Sequence, residues 1–347
     1  MTEILPAGKL PPELLATLLG SLPSDPSLVV GPGIGRDAAV VRCGDRLLVL
    51  KTDPITFATE DIGWYTAHIN ANDIACMGAT PRWMLVTALL PEGSTTPGLV
   101  EQIFTGVRAG CDAVGATLVG GHTEITTGLE RPILVGLMVG EAQPDELVDP
   151  RRAQPGDVVI LARGIAIEGT ALLARELRAE LEGRVDPARL ARAAGFIHDP
   201  GISVAAAARL LRTALGPRLH ALHDPTEGGL ATGLRELGAA TGLGLAVNGD
   251  AIPVYPETRA LCDALDVDPL GLIASGALLA VVAPEAEAAA LAALRESGIP
   301  AAAIGRMVAD PDHVTLTTGG AERPLPTFAV DEIARLFAAR TNDPAAS

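Results

Sequence analysis

The 347-residue chain is long enough for two hydrophobic cores, so two domains are expected. A formal charge of −16 and an aromatic content of 3% argue against nucleic-acid or anionic-membrane partners, because the overall field repels polyanions and few rings could stack on bases. The four cysteines (Cys43, Cys76, Cys111, Cys262) have no CxxC spacing, and there is no signal-like N-terminus or apolar run of about 18 residues, so a zinc ribbon is unexpected and a cytoplasmic protein is expected.

In chain order, residues 11–20 read as a short helix, with Pro11 and Pro12 at its start and Gly20 at its end. "SLVV" (27–30) leads as a strand into the glycine loop "GPGIGRDAAVV" (31–41). GxxxxGK[ST] is absent, and GxGxxG fails because Arg36 stands at its third glycine and a strand-like run follows. A simple turn or a loop whose backbone can approach an anion both remain. "DAAVVRC" and "RLLVLKTD" read as a hairpin across Gly44–Asp45, and Lys51, one of only two lysines, lies beside Asp53.

Residues 61–79 have helical length and end at Gly78, followed by Pro81. Thr66, Asn70, Asp73 and Met77 share one stripe of that helix. A carboxylate in so apolar a helix needs a partner or a cation if buried; otherwise the stripe is an exposed polar face. "RWMLVTALLP" reads as a strand, 97–116 as an amphipathic helix, and "ATLVGG" and "RPILVGLMVGEA" as strands. "GGHTE" (120–124) is read as a strand end followed by imidazole, hydroxyl and carboxylate, so His122 is a candidate base, metal ligand or phosphate contact. Asp37, Asp53 and Asp73 each follow or occupy a different element, which is how a Mg²⁺ site with few protein carboxylates is assembled; each also fits a turn or cap.

The proline- and charge-rich segment 143–157 marks the domain boundary, placed between 148 and 149. Beyond it the reading is strand "DVVILAR", loop and helix over 164–181, helices 185–196 and 203–215, strand "LGLAV", helix 256–266, strand "GALLAVVA", helix 284–297, strands "AAIGRMV" and "DHVTLTT", and a helix over 328–340. "HDPTEGGL" (223–230) opens a further helix, where Asp224 or Thr226 can cap and Glu227 suits the first turn. The two glycines weaken a helix and point to close approach of another backbone or a ligand. Both halves are α+β.

"GIGRDAAVV", "KTDPITFATEDIGWYTAHINANDIACMGATPRWML", "VGGHTE" and "HDPTEGGLATGLREL", in this order, resemble the aminoimidazole ribonucleotide (AIR) synthase superfamily. "HDPTEGG" and "IPVYPETRALCDALDVDPLGLIASGALLAVV" are most similar to its hydrogenase maturation HypE branch, and "DIGW" and "NDIACMGA" also resemble thiamine-monophosphate kinase. The resemblance implies an α+β fold of two domains, the first (1–148) contributing strands to a barrel shared across a homodimer and the second (149–347) an α/β sandwich. It implies ATP and Mg²⁺, with Asp37, Asp53, Asp73 and Asp224 as metal-binding acids. It further implies Gly33 and Gly35 in a nucleotide-covering loop. The residues expected at the nucleotide are Gly33, Gly35, Arg36, Asp37, Asn72, Gly121 and Thr123, and the expected catalytic set is His122, Asp73 and Lys51. The partners expected are ATP, a small-molecule acceptor and a second copy, with a maturation-complex protein as a further possibility.

Three departures qualify this. HypE proteins end in a cysteine that is carbamoylated and then dehydrated, whereas this chain ends "RTNDPAAS" and its last cysteine is Cys262, so that self-dehydration is not expected in its usual form. Arg36 replaces an acid of the kinase-type "GDDAA", and His122 replaces the acid of "GGDT" or "GGET", with Glu124 as its possible substitute. The expectation is an ATP/Mg²⁺-dependent enzyme that activates an amide- or phosphate-bearing small molecule. The alternatives are a thiamine-monophosphate-kinase-like enzyme and a non-catalytic nucleotide-binding partner.

Overall fold

A computed structural model describes residues 5, 10–23, 25–33, 38–56, 58 and 60–341. Gly35, Arg36 and Asp37, named above for the nucleotide and the metal, lie outside the described residues.

The first part of the chain runs α1 (Pro12–Gly20), β1 (Leu28–Val30), β2 (Ala39–Cys43), β3 (Arg46–Ile55), α2 (Ile62–Cys76), β4 (Thr80–Pro91), α3 (Pro97–Val114), β5 (Thr117–Thr126) and β6 (Ile133–Ala142). Its strands form one six-stranded sheet in the order β1-β2-β3-β6-β4-β5, antiparallel except for the β4–β5 pair. The second part runs β7 (Val158–Ala162), α4 (Ile167–Glu176), α5 (Arg178–Leu181), α6 (Pro187–Ala194), α7 (Ala205–Leu215), β8 (Leu219–His223), α8 (Gly229–Thr241) and β9 (Gly244–Asn248). It continues with α9 (Pro256–Leu265), β10 (Leu278–Val282), α10 (Glu287–Glu296), β11 (Ala301–Val308), β12 (Val314–Thr318), β13 (Ala321–Pro324) and α11 (Glu332–Thr341). Those strands form a seven-stranded sheet, β13-β12-β9-β11-β7-β10-β8, whose central strands β7 and β10 are buried throughout. Strands buried on both faces read as continuous Val, Ile and Leu runs, as "VVILA" and "LLAVV" do. Helices cover both faces of this sheet: α4, α6, α8, α9 and α11 on one core, α7 and α10 on the other.

Helix α2 ties the two parts together. Every residue from Ile62 to Cys76 except Trp64 is buried, so the stripe of Thr66, Asn70, Asp73 and Met77 is interior and not an exposed polar face. One side of α2 packs on the six-stranded sheet, together with Ile167, Phe196, Ile197 and Ile202 from the second part. Its last turn, Ala75 and Cys76, enters the core beneath α7 and α10. Asn72 is fully buried, and its side chain is spent on this junction: Nδ2 donates to the Ile202 carbonyl at 2.8 Å and Oδ1 accepts from the Val204 N–H at 2.8 Å. Both polar groups of the residue expected at the nucleotide thus already have one partner each within the chain.

Two local expectations change. The "GGHTE" strand does not stop at the glycines; β5 continues to Thr126 as an edge strand, and Gly121 lets the Val86 carbonyl of β4 approach where a Cβ would stand. Asp224 and Thr226 do not cap α8, whose N-cap is Gly228 with no side-chain cap bond. Gly228 and Gly229 have φ of 78° and 66°, and a Cβ on Gly229 would run into the backbone of Leu270 and Leu272. The close approach expected of these glycines is thus to another backbone.

Candidate active site

Lys51 and Asp53, two residues apart on β3, point to the same side of the sheet, toward α2. The Lys51 ammonium lies 3.2 Å from an Asp53 oxygen and 3.3 Å from an Asp73 oxygen. Asp73 is buried, while Lys51 and Asp53 keep 20% and 32% of their side-chain surface open. The cluster is therefore interior on the helix side and accessible on the strand side, the arrangement a charged ligand would need.

Asn70 holds Asp53 in place. Its Oδ1 accepts from the Asp53 N–H at 2.9 Å, and its Nδ2 donates to the Thr66 carbonyl at 2.9 Å and to the Asp53 carbonyl at 3.4 Å. Gly136 faces Asp53 in β6, and the Asn70 amide fills the space a Cβ there would take. Sequence reading placed Asn70 on the α2 stripe and gave it no role; its position three residues before Asp73 was the available signal.

Asp224 follows β8 and is 2% exposed. The Cys76 thiol donates to its Oδ1 at 3.5 Å, and Cys76 stands three residues after Asp73 on α2. The last turn of α2 thus carries one carboxylate and touches another from the second part of the chain. Neighbouring His223 is buried, with Nε2 3.2 Å from Glu236 on α8. Next to the Cys76–Asp224 contact, a largely apolar cleft is lined by Val29, Val30, Met77, Val148, Leu222 and Leu237. The chain enters the glycine loop directly from Val29 and Val30, so Gly33 is three residues from this lining.

His122, Gly121 and Thr123 lie elsewhere. They are on β5, separated from β3 by β6 and β4, a span of about 14 Å at ordinary strand spacing. His122 pairs in register with Thr87, on the β4 face opposite buried Val86 and Ala88, and its Nε2 is 3.6 Å from Glu124 at an exposed surface. Within one chain, then, His122 does not join Lys51, Asp53 and Asp73, because the strand that carries it runs on along the sheet edge.

Among the described residues, no three or more His, Cys, Asp or Glu side chains converge as a ready metal cage. Asp53 and Asp73 nevertheless offer hard oxygen donors on either side of a positive charge. Mg²⁺ needs no more than one or two carboxylates when phosphates and waters complete its shell, so the residues present fit it.

Known proteins resemble this chain over most of its length. The family model for the AIR synthase related protein N-terminal domain matches residues 35–142, and that for the C-terminal domain matches residues 154–316. A carbamoyl dehydratase HypE of Rhizobium leguminosarum bv. viciae is 30% identical over 318 residues, covering 87% of this chain and 86% of the relative. A carbamoyl dehydratase HypE of Rhodobacter capsulatus is 34% identical over 284 residues, 79% of each chain. A solved structure of a hydrogenase maturation protein HypE in complex with ATP superposes with a TM-score of 0.70 at 26% identity, covering 91% of this chain and 90% of that one.

Proposed function

The chain belongs to the AIR synthase related family, and from that membership we propose that it is an ATP- and Mg²⁺-dependent enzyme that activates a small molecule by phosphoryl transfer. The observation that carries this reading is the Lys51–Asp53–Asp73 cluster, open on one side, against the helix whose last turn, at Cys76, touches Asp224 and lines an apolar cleft. A nucleotide has the matching polarity, with an anionic triphosphate at one end and a flat, weakly polar base at the other. The adenine would occupy the cleft near Gly33, and the phosphates would lie toward Lys51.

In this arrangement Lys51 holds a phosphate as a point charge, and Asp53 and Asp73, with Asp224 across the junction, hold Mg²⁺. The bound metal would neutralise charge on the phosphates as the γ-phosphoryl group moves. Asn70 fixes Asp53 before the ligand arrives, so its carboxylate needs no reorganisation during the reaction. Residues 1–148 would bind ATP and pair two copies, and residues 149–347 would close the site and contribute to the acceptor pocket.

An amide is the acceptor that the carbamoyl dehydratase relatives favour. Cys76, Cys111 and Cys262 are buried and Cys43 lies on β2, so an amide built on one of the buried thiols would be out of reach. With the buried thiols set aside, the acceptor would be a separate molecule or a group on a partner protein. Pairing of two copies would use the outer face of the six-stranded sheet, where Trp83, Leu85 and Leu137 are exposed and would bring His122 toward a neighbouring chain.

Calorimetry with Mg·ATP tests the site. Asp73→Asn is expected to weaken binding by about tenfold or more, the scale of one lost charged contact. Unchanged affinity in that variant removes the assignment. ADP formation with carbamoyl compounds, compared with thiamine monophosphate, separates the amide reading from the kinase reading. Binding without ADP formation under every acceptor would leave a nucleotide-binding maturation partner.

A further inference from the structure

Glu168 lies in the first turn of α4 and is 7% exposed, and its Oε2 has no hydrogen-bond partner. Two other buried oxygens are in the same condition, the hydroxyls of Ser275 (1% exposed) and Tyr65 (0% exposed). They come from three separate elements: Tyr65 from α2, Glu168 from α4, and Ser275 from the segment leading into β10. The backbone draws two of them together, since the Glu168 N–H donates to the Ser275 carbonyl at 3.3 Å. Ser275 lies close enough to favour the charged form of Glu168, although its hydroxyl falls short of a hydrogen bond in geometry. Tyr65 feels the Glu168 charge more than that of any other side chain.

The group adjoins the nucleotide site. The Ala274 N–H donates to the Thr226 carbonyl at 3.2 Å, which places Ser275 next to the loop that begins with Asp224. Thr226 and Glu227, in that loop, are half-buried, and the Glu227 charge acts on Glu168. Asp331, also nearby, is committed elsewhere, with its oxygens accepting from the Gly228 and Ile333 N–H groups at 2.7 and 2.9 Å. A buried carboxylate and two hydroxyls left without partners are costly unless something polar is to be met there.

We propose that Glu168, flanked by the Ser275 and Tyr65 hydroxyls, is the proton acceptor of the acceptor-substrate subsite. The inference rests on the phosphoryl-transfer reading above. As the acceptor's heteroatom bonds to the γ-phosphorus, the β–γ P–O bond breaks and ADP leaves with its electron pair. The heteroatom's proton passes to Oε2 of Glu168. The two hydroxyls orient the acceptor, an amide or hydroxyl compound that can both donate and accept. Burial pushes the Glu168 carboxyl up to about 7; Ser275 opposes this, and Asp331 and Glu227 add to it. A base near neutrality is matched to its task.

The test uses the full chain and Glu168→Gln. Infrared titration of the wild type is expected to show a carboxylic-acid C=O band that disappears near neutral pH and is absent in the variant. The variant should bind Mg·ATP within about threefold of wild type, lose about 100-fold or more in ADP formation, and lack a rate limb near pH 7. Ser275→Ala should raise KM for the acceptor more than it lowers kcat. Full ADP formation by Glu168→Gln, or a C=O band unaffected by the substitution, overturns the proposal and leaves the nucleotide site standing. Loss of Mg·ATP binding in that variant overturns it too, because Glu168 would then serve the nucleotide. A wild-type protein that forms no ADP with any acceptor sinks the phosphoryl-transfer reading and this inference with it.

Discussion

The Lys51 ammonium lies 3.3 Å from the Asp73 carboxylate and joins a β3 side chain to the interior of α2. With Asp53 on its other side at 3.2 Å, this one cation keeps two carboxylates apart in charge and together in space. Lys51→Met removes that cation, so Asp53 and Asp73 should repel and the melting temperature should fall. Millimolar Mg²⁺ alone should restore more stability to the variant than it adds to wild type, because a divalent ion that binds only the folded chain stabilises it by mass action. Thermal melts with and without Mg²⁺ measure this; equal Mg²⁺ responses in both proteins would contradict it.

Asn72→Ala leaves the Ile202 carbonyl and the Val204 N–H without the partners they have now. Two buried groups left unsatisfied cost about 2–6 kcal/mol. Urea unfolding should show that loss, and Asn72→Asp, which keeps only the acceptor, should fall between.

Two kinds of buried group should pull stability in opposite directions between about pH 4 and pH 7. Burial pushes His68 down to about 4, so the fold holds it neutral. That contribution is complete above the ordinary value of 6.5 and is lost as pH falls from there toward 4, by up to about 3 kcal/mol. Glu168 and Asp331, pushed up to about 7 and about 6, act in the opposite sense: the fold holds them protonated, and their contribution is lost as pH rises through those values. In a denaturation series, His68→Asn should remove part of the loss as pH falls from 6.5 toward 4, and Glu168→Gln part of the loss as pH rises from 4.5 to about 7. The latter should also raise the melting temperature at pH 8, the trade of stability against activity found where a strained group serves function.

Leu85 and Leu137 are register partners on β4 and β6, each 37% exposed on the outer sheet face. Leu137→Glu places a charge in the middle of that patch. If two copies pair there, sedimentation should show a dimer for wild type and a monomer for the variant, with similar circular dichroism. A wild-type monomer would remove the pairing.

Of the four cysteines, only Cys43 is exposed. Burial pushes Cys111 up to about 11 and Cys262 up to about 12, which starves both of thiolate. Brief iodoacetamide treatment at pH 8 followed by peptide mass spectrometry should find label on Cys43 alone. Rapid label on Cys262 would reopen it as a carrier of the reacting group.

Elements with local signals were readable from sequence. Helix α2 ends where Gly78 and Pro81 end it, and the β2–β3 hairpin turns at Gly44. What escaped was set by distant chain. Gly120 and Gly121 look like a strand terminus, yet β5 runs on because β4 pairs with it over its whole length. Asp224 looks like a cap, yet α8 starts later, at Gly229, where the backbone of Leu270 and Leu272 leaves no room for a Cβ. β13 carried no distinctive pattern. At the site, Lys51, Asp53 and Asp73 were legible because a charge in an apolar helix or strand is conspicuous. Glu168 was not, since an acid near a helix start is ordinary until its burial is seen.

The placement of α2 also bears on how relatives of this protein can be recombined. A crossover between 142 and 158 would look safe, since it interrupts no strand of either sheet. It would nevertheless pair one parent's Asn72 and Cys76 with another parent's Ile202–Val204 segment and Asp224. Chimeras should therefore tolerate exchange of surface helices far better than exchange of whole halves, and a productive half-swap should carry α2 along with the C-terminal parent.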